Sequence, residues 1–184
     1  MVNINLNSMR PLLFLLVALN TASALAMEVN KAAPRVQAGE QIYRAKKSVI
    51  IEKDCPAVWS IVTDFSGIDK WYSGFSSSIR VDGPANNVGE VRKLVRKGSG
   101  QIVHEKMIYM DSNNLELGYT HTLNPPVPNS IALVSLMPLS QGQCQVTWAN
   151  TFNLYAGQNG SEMTGRLQQA YRTVLDDLKR YAEK

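Results

Sequence analysis

The sequence predicts an α+β domain in which an antiparallel sheet of seven strands curves around one long C-terminal helix, and three features carry that expectation. The first is an apolar stripe. Met163, Leu167, Tyr171, Val174, Leu178 and Tyr181 recur every third or fourth residue, a band about 100° wide on a helix. Polar and charged residues from Glu162 to Arg180 fill the other faces, and Ser161 stands where a cap belongs. The second feature is a succession of short β-forming runs broken by Gly, Pro, Asn and Asp, which reads as a meander. The third is an isolated strand and two short helices ahead of that meander, neither helix long enough to cover a sheet.

The elements follow in order. Ala45 to Glu52 is β-branched at Val49, Ile50 and Ile51 and makes the first strand. Asp54 and Pro56 then open a short helix through Val58, Trp59, Ile61 and Val62, and a second falls near Gly67 to Trp71. The remaining strands are Ser77 to Asp82, Gly89 to Lys97, Gln101 to Met110, Asn114 to Leu123, Ile131 to Met137 and Gln143 to Tyr155. Turns at Gly83-Pro84, Gly98-Ser99-Gly100, Asp111-Ser112-Asn113 and Asn124 to Pro128 separate them, and Pro138 stops the sixth.

The amino end reads as a leader. Arg10 precedes the apolar run Pro11 to Leu19, and Ala24-Leu25-Ala26 offers the small residues that a signal peptidase requires. The expected division is a signal peptide over 1–26 cleaved after Ala26, a linker over 27–44 and the folded domain over 45–184. Met9 is an alternative start, and retention as an uncleaved anchor is the alternative to release. The apolar run is shorter than the ~20 residues of a membrane span. Export to a periplasm or the exterior is therefore expected.

The formal charge of +4 in 184 residues permits an acidic partner or an anionic lipid surface without demanding one, and no nucleic-acid motif accompanies it. Cys55 and Cys144 belong to no CxxC pair or His-rich cluster, so neither redox catalysis nor a structural metal has its ligand spacing. No nucleophile elbow, metal triad or phosphate-binding loop is present, and no cofactor is expected.

This order of elements resembles the helix-grip superfamily, which includes START lipid-transfer domains, the birch-pollen allergen fold and bacterial polyketide cyclase/dehydrase-like proteins. The marks are Cys55-Pro56-Ala57-Val58-Trp59, Val62-Thr63-Asp64-Phe65, Trp71-Tyr72, Glu105 followed by Asp111, and Thr147-Trp148, spread over about 45–182. Size and leader also suit an exported accessory group of bacterial methanol oxidation. The resemblance implies a cavity between sheet and helix.

Alternation assigns the lining. Val146, Trp148, Asn150, Phe152 and Leu154 share one face of the last strand; Leu115, Leu117, Tyr119 and His121 share one face of the fifth. On the fourth, both faces are mixed, and the resemblance is what turns Glu105, with Val103, Met107 and Tyr109, inward. The expected ligand-binding set is Trp71, Glu105, Tyr109, Tyr119, His121, Trp148, Asn150, Phe152, Met163, Leu167 and Tyr171. Its ligand would be an apolar or amphipathic small molecule. The alternatives are structural: an ion pair for Glu105, a satisfied or solvent-facing ring for His121, an internal hydrogen bond for Asn150, and plain core packing for Trp71, Trp148 and Phe152. Gly98-Ser99-Gly100 and Pro125 to Pro128 would form the lips of the cavity.

Arg92, Lys93, Arg96 and Lys97 form a basic cluster, either a protected sheet edge or a docking patch for an acidic exported protein or an anionic lipid head group. A cyclase, hydratase or hydrolase using Glu105 with His121 or a tyrosine is a further alternative. Because the helix-grip topology sets the first strand beside the last, it brings Cys55 and Cys144 within reach of a disulfide; two buried thiols are the alternative.

Overall fold

The computed structural model describes residues 41–140 and 142–184, so the leader and the linker up to residue 40 lie outside the described residues. β1 (Tyr43–Ile51) is followed by α1 (Cys55–Thr63) and a 3-10 turn over Phe65–Lys70. β2 (Phe75–Asp82), β3 (Val91–Arg96), β4 (Ile102–Asp111), β5 (Glu116–Leu123), β6 (Ile131–Ser140) and β7 (Gln143–Phe152) make the meander, and α2 (Gly160–Ala182) closes the chain. The seven strands form one antiparallel sheet in the order β1-β7-β6-β5-β4-β3-β2. The expected fold class is the observed one.

Differences from expectation have local causes. The first strand starts at Tyr43, inside the expected linker, because β7 offers it partners up to Phe152. Pro138 does not end β6. The amide of Leu136 still bonds to the carbonyl of Leu115, just ahead of β5, but the pairing of β5 with β6 extends no further, so the missing N–H of Pro138 faces an open edge. The cap of α2 is Asn159, whose side chain accepts from the Glu162 amide at 3.0 Å, and Ser161 lies one residue inside the helix. Asp54 holds the cap position of α1 without a side-chain cap bond.

The apolar stripe of α2 packs on the concave face of the sheet. Met163, Tyr171, Val174, Leu175 and Leu178 are buried, whereas Tyr181 at the end of the stripe is exposed. The core they join includes Ile51, Val58, Phe65, Met107, Leu117, Val134, Val146 and Phe152. Burying each such side chain stabilises the fold by roughly 1.5–3 kcal/mol relative to exposure.

Cys55 and Cys144 are joined in a disulfide with Cα atoms 4.9 Å apart. Register explains it: Ile51 of β1 lies opposite Cys144 of β7, and the tight connection into α1 carries Cys55 back over that pair. The bridge thus ties the first helix to the last strand, as the topology implies.

Among the described residues no helix is long and apolar enough to cross a membrane.

Candidate functional site

Three adjacent strands present one polar row on the concave face. Arg92 of β3 is the cross-strand partner of Glu105 of β4, and Glu105 is the partner of His121 of β5. Arg92 Nε donates to Glu105 Oε2 at 2.8 Å, and its Nη2 lies 2.6 Å from the same oxygen. His121 Nε2 stands 3.3 Å from the other carboxylate oxygen, Oε1. Arg92 Nη1 also donates to the Phe65 carbonyl, and its guanidinium lies 3.8 Å from the centre of the Phe65 ring.

All three side chains are removed from water, at 4%, 7% and 10% exposure. Ion burial of this kind is tolerable only when the charges are matched and their hydrogen-bonding capacity is used. Burial alone pushes the Glu105 carboxyl up. The Arg92 guanidinium and the His121 ring more than reverse that and bring it down to about 2. Glu105 is therefore a carboxylate at neutral pH, held by its neighbours.

An aromatic box stands over the row. Trp148 Nε1 donates to the Tyr119 hydroxyl at 3.0 Å, and Tyr119 meets Phe65, His121 and Trp148 in tilted or edge contacts near 6 Å. Tyr171 of α2 stacks on Trp148 with ring centres 6.4 Å apart. Burial pushes the Tyr119 and Tyr171 hydroxyls well above the usual phenol range, so both stay neutral.

Between this box and the helix lies a cavity of about 90 Å³. Arg92, Glu105 and His121 are at its polar side; Tyr119, Trp148, Tyr171 and Val174 form its apolar wall. Its mouth is rimmed by Tyr72, Phe75, Arg96, Pro126, Leu167 and Ala170, all half-buried or exposed. Pro126 belongs to the proline-rich lip, while the Gly98–Gly100 turn contributes nothing to the lining beyond Arg96 just before it. The interior is far smaller than the ~300–1,000 Å³ of pockets that enclose drug-sized ligands. A neighbouring hollow of about 10 Å³, near the size of one water, is lined by Trp71, Phe65 and Leu117.

Of the expected ligand-binding residues, Glu105, Tyr119, His121, Trp148, Leu167 and Tyr171 come together around this cavity. The rest do not. Tyr109 is 42% exposed on the opposite face. A β-bulge between Met107 and Tyr109 inserts Ile108, so both Ile108 and Tyr109 point outward and Met110 takes the inward place. Gly118 sits across from Tyr109, where a side chain would crowd the Tyr109 Cβ at 3.2 Å. Asn150 faces inward and is buried, but its amide nitrogen donates to Ser130 Oγ at 2.9 Å and it does not line the cavity. Phe152 stacks on Tyr43, Met163 packs in the core, and Trp71 reaches only the small hollow.

The basic cluster is not one surface patch. Arg92 is buried at 3% and Arg96 turns to the cavity mouth, which leaves Lys93 and Lys97 on the outside. The reason is strand parity, since Arg92, Leu94 and Arg96 share a face and Leu94 is fully buried.

Two buried carboxylates escaped sequence reasoning. Glu90 accepts from Ser66 Oγ and the Asn86 amide, pinning the loop before β3. Asp177 of α2 accepts from both the amide and hydroxyl of Ser73, at 2.8 and 2.6 Å, and fixes the segment between the 3-10 turn and β2 against the helix. Among the described residues no group of His, Cys, Asp and Glu is arranged to hold a metal ion.

A second concavity, of about 500 Å³, lies on the convex face among Ile108, Tyr109, Ile131 and Leu133, with Arg44 and Lys46 at its side. It is larger in volume but open. Ile108, Tyr109 and Ile131 are each at least 40% exposed, and of the buried polar residues only Asn150, whose side chain points to the other face of the sheet, is in its lining.

The profile of the family described as polyketide cyclase/dehydrase and lipid transport matches residues 44–183, the whole of the sheet and helix except for terminal residues. The chain belongs to that family. Among solved structures it is similar to an uncharacterised protein from Bacillus thuringiensis, at 20% identity over 77% of this chain and 99% of that one, with a TM-score of 0.68. It is similar also to the protein XoxI from Bacillus cereus, at 20% identity over 76% and 94% with a TM-score of 0.66. A protein from Nitrosospira multiformis follows at 20% identity over 74% and 94% with a TM-score of 0.64. These likenesses establish the helix-grip fold and no more. No curated protein matches the sequence.

Proposed function

We propose that the protein is an exported, non-catalytic binding protein that takes a small amphipathic molecule, or one end of a longer one, into the cavity between α2 and the sheet. The observation that carries this reading is the cavity's construction: an aromatic wall, a fixed polar row behind it and a half-exposed rim on one side. Apolar walls with few orienting polar groups are what small-molecule recognition needs. Membership of a family described by cyclase/dehydrase activity and lipid transport supports hydrophobic ligand binding in general terms.

The dimensions restrict the ligand. At about 90 Å³ the interior accommodates one ring or a short chain, so an enclosed long-chain lipid requires α2 and the proline-rich lip to move apart. Catalysis by Glu105 is disfavoured, because a carboxyl brought down to about 2 and shared between Arg92 and His121 is a poor proton donor or acceptor near neutral pH. Export is supported by the leader over 1–26 and by the disulfide, a bond that persists in oxidising compartments.

Native mass spectrometry of protein purified gently from its own host tests the reading. A discrete small adduct on a chain starting at Met27 is expected. A chain retaining residues 1–26 contradicts export, and a bare chain that also fails to take up toluene or indole contradicts ligand binding.

A further inference from the structure

The cavity holds more positive charge than its own residues neutralise. Two guanidinium groups line it, and the one carboxylate among its lining residues, Glu105, is already paired with Arg92. Arg96 has no ion-pair partner among the described residues, and its Nε is buried with no hydrogen-bond partner. His121 Nδ1 is a second buried, unpartnered polar atom in the same lining. Unsatisfied buried groups of this kind cost stability and call for an explanation in what else can meet them.

We propose that Arg96 is the head-group site of this pocket and that its ligand is an amphiphile bearing one carboxylate, its apolar body lying against Trp148, Leu167 and Tyr171. This rests on the pocket reading given above and narrows its ligand class. Position supports it: Arg96 stands at the rim beside Tyr72, so a head group can stay near water while the tail enters the apolar wall. Burial raises the Tyr72 hydroxyl, which keeps it a neutral hydrogen-bond donor next to that head. A planar guanidinium matches a carboxylate in a two-bond fork. Charge count favours one negative charge over two, because only one guanidinium is unmatched and the Glu105 carboxylate would repel a second anionic charge.

The test uses the folded chain, with the Trp148 indole N–H and the backbone amides of residues 119–121 followed by NMR during titration. The probes are phenylacetate, its uncharged analogue phenylacetamide, toluene and benzylphosphonate. Phenylacetate is expected to bind about tenfold more tightly than phenylacetamide, the size of one hydrogen-bonded charge contact. In Arg96→Gln that preference should fall below about threefold, with Arg96→Lys between the two because a point charge lacks the fork. Lys97→Gln, the exposed neighbour, should change nothing.

Equal binding of phenylacetate, phenylacetamide and toluene overturns the carboxylate assignment and leaves the apolar pocket standing. A preference that survives Arg96→Gln overturns the role of Arg96. Tighter binding of benzylphosphonate than of phenylacetate at about pH 9, where the phosphonate carries two charges, overturns the one-carboxylate class. Failure of every probe to shift these signals removes the pocket reading together with this one.

Discussion

The two ends of the space between sheet and helix are built on opposite principles. Where β1, β7 and α1 meet α2, the interior is apolar and filled: Ile51, Val58, Cys144, Val146, Leu175 and Leu178 leave almost no surface to water, and a disulfide locks the end. Where β3, β4 and β5 face the same helix across the cavity, the interior is charged, aromatic and hollow. Dense apolar packing gives stability but no room; the polar end holds its shape by matched charges and keeps a space. On the proposed reading, stability and binding are divided along one helix: Leu175 and Leu178 pack in the filled end, and Leu167 and Tyr171 line the cavity.

The largest break in that division comes from the bridge. Replacing both Cys55 and Cys144 with serine releases a loop with a sequence separation of 89. The chain-entropy relation puts the loss near 4–5 kcal/mol, read as a lower urea midpoint with unchanged ligand affinity in the fraction that stays folded. A loss of affinity without loss of stability would mean that the filled end also shapes the cavity.

Arg92→Leu should cost about 3–5 kcal/mol, because it leaves the Glu105 carboxylate buried without its counter-charge. Arg92→Leu combined with Glu105→Leu should recover most of that loss in the same denaturation experiment. If the double variant is as unstable as the single one, the polar row is not a matched pair.

Acid sharpens the same contrast. The Glu105 carboxyl is at about 2 in the folded chain against an ordinary 4.5, so its contribution is fully present above pH 4.5 and is lost as pH falls through 2. The contribution is on the order of 3 kcal/mol for a shift of this size. Glu105→Gln should flatten the stability profile across that window, and an unchanged slope would show that other carboxylates govern acid unfolding.

The sequence made one end far more legible than the other. β7 alternates strictly through Val146, Trp148, Asn150 and Phe152, so the face of each was readable, and topology then placed Cys55 over Cys144. The polar end resisted for two reasons. An inserted Ile108 carries no mark that distinguishes it from an ordinary strand residue, and it alone reverses Tyr109. Arg92 and Arg96 looked like surface charges beside Lys93 and Lys97, although their shared parity with Leu94 was a usable signal, and a buried Glu105 needed a counter-charge from somewhere. Cavity volume could not be read at all. It depends on how the Tyr119, Trp148 and Tyr171 rings settle against one another, a matter of packing and not of pattern.

The smallest expected effect is at the helix start. Asn159→Ala removes the cap on the Glu162 amide and should cost about 1 kcal/mol in thermal unfolding. Ser161→Ala should be nearly silent, and the reverse result would move the start of α2 to Ser161.

The proposed binding site is the small concave cavity and not the wider convex groove. Isotope-filtered NMR of the protein with bound phenylacetate measures this directly through contacts between ligand and protein protons. Contacts are expected to Tyr119, Trp148, Leu167 and Tyr171 and none to Ile108, Tyr109, Ile131 or Leu133. Contacts confined to that second set would contradict it.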